Sequence, residues 1–220
     1  MGFRDRFWNR RYETTPSWEL GTADPVLVRT LDHRGVAGPG RALDVGCGTG
    51  DNAIELARRG FEVTAIDLAE RPLVQAREKA HAAGLPVGLR RADITRFDDQ
   101  APFDLIVDRG LLMSLFGERT RRSYASALTR LTADGSCIYQ DQWELPEVPR
   151  ALSPGWVATA VMGVVVTPGE VDRRLGDAFL VETLRRSVEP SDDPGMRRMG
   201  IRYVAKTSYW LQRRPGGATG

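Results

Sequence analysis

Cysteine and histidine are scarce: the 220 residues hold two of each. Cys47 and Cys137 stand far apart and offer neither a metal-ligand spacing nor a disulfide framework, so a reduced, cytoplasmic setting without metal is expected. Long apolar runs are also missing; none approaches the ~18 residues that would mark a membrane span. The opening MGFRDRFWNRR has no continuous apolar core, so no signal peptide is expected. Arg6 stands where a myristoylation pattern wants Ser or Thr. Charge of one sign is lacking too. Lys and Arg number 31 against 29 Asp and Glu, and a net +2 is too weak to draw nucleic acid. The pairs Arg10-Arg11 and Arg197-Arg198 read as solvated surface. There is no internal repeat. The length suits one α/β domain with a real core and is short for two.

What is present is alternation. From residue 41 onward strand-like and helix-like segments take turns, which predicts a parallel sheet covered by helices. Strands are expected over 41–45, 61–66, 87–91, 103–107 and 136–142. Helices are expected over 51–59, closed by Gly60, and over 72–83, with Leu73, Ala76 and Ala80 on one face, Pro72 in the first turn and Gly84 past the end. A third is expected over 118–131, with Tyr124, Leu128 and Leu131 at helical spacing. Residues 144–167 then break the rhythm with Pro and Gly among apolar residues, including Trp156 and Met162. Thr167 to Glu170 fits a capping box, with Thr167 as N-cap. Segments 179–184 and 201–211 read as two closing strands, and the polar, turn-rich 187–200 between them as a long mobile loop.

The fold class expected is therefore α/β: a doubly wound, Rossmann-like, seven-stranded sheet, mostly parallel with a C-terminal antiparallel hairpin. In such sheets ligands bind beyond the carboxyl ends of the strands, where strand order reverses.

At the first strand-to-helix junction stand Gly46, Gly48 and Gly50 around Cys47. Glycine permits a tight turn and close approach of a ligand to the backbone, and the next helix offers its amides to an anionic group. A dinucleotide turn reads G-x-G-x-x-G; here the third glycine falls one place early, and Asp51 is a poor neighbour for pyrophosphate. Asp44 points off the end of the first strand. Asp67, followed by Leu68, lies about 20 residues after Gly46, where a carboxylate can accept from both hydroxyls of a ribose, which suits NAD as well. Asp93, followed by Ile94, ends the third strand, where a carboxylate can accept from an exocyclic amine. Together these residues describe a pocket for an adenosine with a charged amino-acid tail. Local roles stand beside these: Asp44 bridging backbone amides, Asp93 as a helix cap, Asp108 as a loop residue.

LDVGCGTG, AIDLA, RADI and FDLIVDRG at these spacings resemble the class I S-adenosylmethionine-dependent methyltransferases over residues 38–143. The resemblance implies that Asp44 and the Gly46–Gly50 backbone, Cys47 included, lie near the methionine end of the cofactor. It implies that Asp67 and Leu68 hold the ribose, that Asp93 and Ile94 frame the adenine, and that Asp108 borders the methionine or the reaction centre. Upstream, Trp18-Glu19-Leu20-Gly21 resembles a stretch that folds over the cofactor in the thiopurine methyltransferase-like group of small-molecule enzymes. Packing of an N-terminal arm is the other reading of Trp18, and of Phe3, Phe7 and Trp8. Residues 1–35 are thus expected to form a helical arm or lid. Residues 36–220 would be the methyltransferase domain, with an acceptor-side insertion at about 144–167.

Methyl transfer asks little of side chains beyond alignment and exclusion of water. A base is needed only for an acceptor protonated in its ground state. Asp141, near the end of the fifth strand, is the candidate by position, with a plain surface carboxylate as its other reading. His33 and His81 read as surface residues, and Cys47 as a small residue of the turn with no nucleophilic role. An Asn/Asp-Pro-Pro-aromatic turn, typical of enzymes methylating adenine or glutamine amino groups, is absent after the fourth strand. Residues 111–116, Trp143 and the insertion are the expected acceptor walls. The function expected is transfer to O, N or S of a small, largely apolar molecule such as a specialised metabolite, with neither nucleic acid nor membrane as partner. The rivals are transfer to RNA or protein, and a cofactor-binding module that does not transfer methyl.

Overall fold

The computed structural model describes residues 2–144, 166–167, 169–191, 197 and 202–216. Two helices lead in, α1 (Phe3–Arg11) and α2 (Pro25–Arg34). Asp24 caps α2: its Oδ1 accepts from the Val26 and Leu27 amides at 2.8 and 3.2 Å, and Pro25 presets the first turn. The alternating body follows as β1 (Arg41–Val45), α3 (Asp51–Arg58), β2 (Glu62–Asp67), α4 (Glu70–Ala82), β3 (Val87–Arg91) and β4 (Phe103–Arg109). A 3-10 turn (Leu112–Ser114) leads to α5 (Glu118–Arg130), β5 (Thr132–Glu144), α6 (Glu170–Leu175), β6 (Phe179–Pro190) and β7 (Tyr203–Arg213). None of the helices among the described residues is long and apolar enough to cross a membrane.

The strands form one seven-stranded sheet in the order β3-β2-β1-β4-β5-β7-β6. β1 to β5 run parallel, and β7 lies antiparallel between β5 and β6. Both faces are covered. Ala42, Val63, Ala65, Leu105, Val107 and Tyr139 pack with Leu27 and Leu31 of α2 and Ala53 and Leu56 of α3. Their alternates Leu43, Val45, Ile66, Ile106 and Ile138 pack with Tyr124 and Leu128 of α5 and Val171 and Leu175 of α6. Burial on both sides is why these strands read as continuous apolar runs. Strand order reverses between β1 and β4, which opens the crevice at their carboxyl ends. β5 outruns β4: Arg109 pairs with Asp141, and beyond it the residues to Glu144 pair with β7, Glu144 also bridging Val166.

Several expectations are corrected. β4 continues to Arg109, so Asp108 is a strand residue and not part of a loop. β5 extends at both ends, and α4 begins at Glu70, two residues before Pro72. Residues 187–190 are not loop: Ser187 to Pro190 pair with Lys206 back to Tyr203, because an edge strand tolerates polar side chains on its open flank. The N-cap of α6 is Gly169 in the left-handed conformation, not Thr167; Thr167 instead accepts the Glu170 amide through its carbonyl. Trp156 and Met162 lie outside the described residues.

Candidate functional site

Gly46, Gly48 and Gly50 all adopt positive φ, at 67°, 55° and 83°. At two of them space decides as well. A Cβ on Gly48 would stand 2.7 Å from the Tyr12 hydroxyl and 2.8 Å from Glu19 Oε1, and one on Gly50 would stand 2.9 Å from Ala76 Cβ of α4. The turn is therefore pressed between the lead-in segment above and α4 behind.

Three of the acidic residues singled out by sequence, Asp67, Asp44 and Asp108, gather here in different circumstances. Asp67 ends β2 and reaches into the turn: Gly48 N–H donates to its Oδ2 at 3.0 Å and Ala69 N–H to its Oδ1 at 2.8 Å. Desolvation outweighs those bonds and lifts its carboxyl to about 6. Asp44, on β1, is buried, and the Ala53 amide donates to its carboxylate. Its Oδ2 has no partner. Burial first, and then the charges of Asp108 and Asp67, push it up to about 8. Asp108 is wholly buried and already spoken for. Leu111 N–H donates to its Oδ1 at 2.7 Å, and the Tyr124 hydroxyl and Gln140 amide donate to its Oδ2. Burial lifts it to about 6. Its carboxylate braces β4 to α5 and β5, and it fixes Leu111, whose side chain lies over Gly46. Desolvation beside Asp44 and Asp67 pushes the Cys47 thiol well above its ordinary range, which leaves it inert.

No helix lies between β3 and β4, so Asp93 is not a helix cap; its Oδ1 takes the Thr95 amide and hydroxyl at 3.1 and 2.9 Å and holds a turn. Its Oδ2 pairs with Arg4 of α1 at 3.0 Å. Ile94 beside it is buried against the core, and the Leu68 carbonyl accepts from Arg91 Nε at 3.1 Å.

The lead-in segment covers the turn through a short chain of hydrogen bonds. Trp18 Nε1 donates to the Tyr12 hydroxyl at 3.2 Å, Tyr12 to Glu19 Oε1 at 3.0 Å, and Thr49 to Glu19 Oε2 at 2.5 Å. Trp18 meets Trp8 and Tyr12 edge-on, with ring centroids 6.1 and 6.2 Å apart. Phe3, by contrast, is 77% exposed. Tyr12 carried no sequence signal of its own; only the fold brings it to Gly48.

A second polar cluster sits at the carboxyl edge of β4 and β5. Asp24 is fully buried; its Oδ2 accepts from Arg109 Nε at 2.8 Å and faces Lys206 Nζ at 3.8 Å. Burial would raise Asp24, but the Arg109 hydrogen bond and the charge of Lys206 prevail and hold it below the usual carboxylate range. Arg109 Nη1 also donates to the Trp18 carbonyl at 3.0 Å. Asp141 is not a surface carboxylate. It is buried, takes the Ser208 hydroxyl on Oδ1 at 2.6 Å and faces Lys206 at 3.5 Å, and burial raises it. His33 and His81 are exposed. Asp24, Arg109, Ser208 and Lys206 escaped sequence reading, though Asp24-Pro25 is a recognisable helix start.

Residues 42–135 match the family model described as "Methyltransferase domain". Ubiquinone biosynthesis O-methyltransferase of Pseudomonas aeruginosa is 35% identical over 104 residues, 46% of this chain and 43% of that enzyme. The chain spans less than half the length of the curated relatives it matches. Among solved structures, one described as "Conversion of a Disulfide Bond into a Thioacetal Group during Echinomycin Biosynthesis" superposes with a TM-score of 0.74 at 23% identity, covering 98% of this chain and 93% of that one. N-methyltransferase NodS from Bradyrhizobium japonicum WM9, in complex with S-adenosyl-L-homocysteine, gives 0.67 at 17%, covering 97% and 100%. The likeness to solved structures is one of fold. Residues 42–135 thus match a methyltransferase domain and lie on a Rossmann-like sheet.

Proposed function

We propose that this protein moves the methyl group of S-adenosylmethionine to an oxygen, nitrogen or sulfur of a small, largely apolar molecule. The observation that carries the reading is the unpartnered Asp44 Oδ2, buried at the lip of the glycine turn. A buried carboxylate oxygen without a donor is rare and costly, and the ammonium of an amino-acid tail satisfies it. The rest of the site fits the same cofactor. The backbone of the turn, Gly46, Gly48 and Gly50 at positive φ with Cys47 between them, admits a ligand closely, and Asp67 with Leu68 is assigned to the ribose. Asp93 and Ile94 are assigned to the adenine, and Trp18 with its segment to the cover. Asp108 supports the methionine end through Leu111. When bound, the cofactor supplies an electrophilic methyl.

The likeness of the Trp18-Glu19 stretch to the thiopurine methyltransferase-like group belongs to this proposal, as does a division between an arm, 1–35, and a domain, 36–220. Asp141 is the assigned proton acceptor for an acceptor that arrives protonated. The name of the Pseudomonas relative supports a small acceptor methylated on oxygen, and the near-neutral charge supports neither nucleic acid nor membrane as partner.

Calorimetric titration with S-adenosylhomocysteine tests the cofactor half. Asp67→Ala should weaken affinity by at least about tenfold, since a charged hydrogen-bonding partner is lost; unchanged affinity refutes the assignment. Release of S-adenosylhomocysteine across a panel of small acceptors tests the transfer half. Tight cofactor binding with no turnover on any of them would argue for a binding module instead.

A further inference from the structure

We infer that Trp143, Lys206, Asp141 and Ser208 form a binding site for an acidic aromatic hydroxyl, in which Asp141 takes the hydroxyl proton and Lys206 holds the resulting oxyanion. The inference rests on the methyl-transfer reading and narrows the acceptor within it.

The four residues come together by register. Asp141 stands opposite Ser208, and Trp143 opposite Lys206, in the antiparallel β5–β7 pair. Directly opposed residues share a face, and so do residues two apart on one strand. All four therefore lie on one face of the β5–β7 pair, at and just past the end of β4. Gly110 N–H donates to the Asp141 carbonyl at 2.8 Å, which fixes that level of β5 to the end of β4. Asp141 is two strands from β1 and its glycine turn, or about 10 Å at ordinary strand spacing. A ligand beyond the carboxyl edge thus reaches both.

The chemistry of the four is complementary. Trp143 is 44% exposed, an open indole that offers a flat ring an apolar wall. The Lys206 side chain keeps 30% of its surface open while its Nζ stands 3.5 Å from Asp141 Oδ2. Asp24, the other carboxylate near Lys206, is already engaged by Arg109 and by the amides of α2, so much of the lysine charge is left for a third partner. A protonated amine would face Lys206 and Arg109 and be repelled. An aliphatic alcohol is too weakly acidic to give its proton to a carboxylate, whereas a phenol lies far closer to that exchange. In the step, the phenolic O–H bond breaks, the proton passes to Asp141 Oδ2, and the electron pair stays on oxygen beside Lys206 Nζ. Ser208 holds Asp141 Oδ1 in place at 2.6 Å. No oxidant or further reactant is involved.

The test uses 4-nitrophenol, whose ionised form absorbs visible light, added to the full chain saturated with S-adenosylhomocysteine at a pH where the free probe is mainly protonated. A saturable phenolate band is expected. Lys206→Met should cut the bound phenolate at least about tenfold and Lys206→Arg should retain it, the loss being that of a charged partner. Trp143→Ala should weaken probe affinity with the affinity for S-adenosylhomocysteine unchanged. The inference is overturned by a parent protein with no saturable band, by an undiminished band in Lys206→Met, or by variants that lose S-adenosylhomocysteine and probe together. Failure of the parent to bind S-adenosylhomocysteine would instead strike the methyl-transfer reading itself.

Discussion

On the proposed reading, Asp44 makes cofactor binding a proton-coupled event. Buried, with one oxygen unpartnered, and repelled by Asp108 and Asp67, its carboxyl sits at about 8 in the free protein. At neutral pH it therefore holds its proton. A ligand presenting an ammonium to Oδ2 binds the ionised form better, so binding must expel that proton. Each pH unit below the free-state value costs ~1.4 kcal/mol, or about tenfold in affinity. From about pH 8 down to about pH 6, the affinity for S-adenosylmethionine should fall roughly 50-fold, with up to about one proton released per ligand bound. Titration calorimetry in two buffers of different ionisation enthalpy measures that proton directly. Asp44→Asn should abolish both the release and the slope. The same variant has an opposite effect on the empty protein. Between the unfolded value of 3.8 and the folded value of about 8, the native state binds the extra proton, so stability falls as pH rises through that window. Asn removes the fall, and at about pH 8 the variant should melt higher than its parent while binding worse. An affinity that stays flat over this range, with no proton release, would refute the reasoning.

Three further outcomes rest on particular contacts. Tyr124→Phe removes a hydroxyl donor from Asp108 and should cost about 1–3 kcal/mol in urea unfolding. It should leave cofactor affinity within about twofold, because that carboxylate faces α5 and β5; a large loss of affinity would return Asp108 to the ligand. Asp24→Ala uncaps α2 and strands Arg109, for a loss of about 2–4 kcal/mol. Asp24 is held below 3.8, so its stabilisation is present at neutral pH and lost as pH falls through the depressed folded value, a slope that acid titration of parent against variant would display. Gly50→Ala sets a Cβ 2.9 Å from Ala76 Cβ at φ +83° and should lower stability by about 2–3 kcal/mol, read as a drop in melting temperature.

The fold was legible where a single chemical requirement acts on adjacent residues. Buried parallel strands need apolar runs, helices need a stripe, and a strand-to-helix turn needs glycine; all three requirements are local, and β1 to β5 read out in order. The β6 end was misread because Ser187 to Pro190 are polar, and an edge strand draws its stability from backbone pairing with β7 rather than from side chains. Thr167 failed as a cap for a related reason: the pattern names a suitable residue, but Gly169 alone adopts the left-handed entry to α6. At the site, the residues that end strands were visible, since strand ends are where the crevice lies. Their partners were not. Tyr12, Lys206 and Ser208 acquire meaning only once long-range register carries them to Gly48 and Asp141.

The glycine turn also shows why a motif is read through its charges. The start of α3 is a helix N-terminus and would by itself favour an anion. Around it stand Asp44, Asp67, Asp51 and Glu19. Asp51 has a cation close by, Lys79 Nζ at 2.8 Å, and that lysine also donates to Thr49 at 2.7 Å. Burial is the larger cause of the raised Asp44 and Asp67 carboxyls, and negative neighbours add to it, Asp108 and Asp67 at Asp44 and Glu19 at Asp67. The field of those neighbours opposes a pyrophosphate and favours a ligand whose charge near the turn is positive. A nicotinamide dinucleotide and a sulfonium cofactor share the ribose that we assign to Asp67. They differ in the sign of the charge carried beyond that ribose, and on that sign the turn of this protein is not neutral.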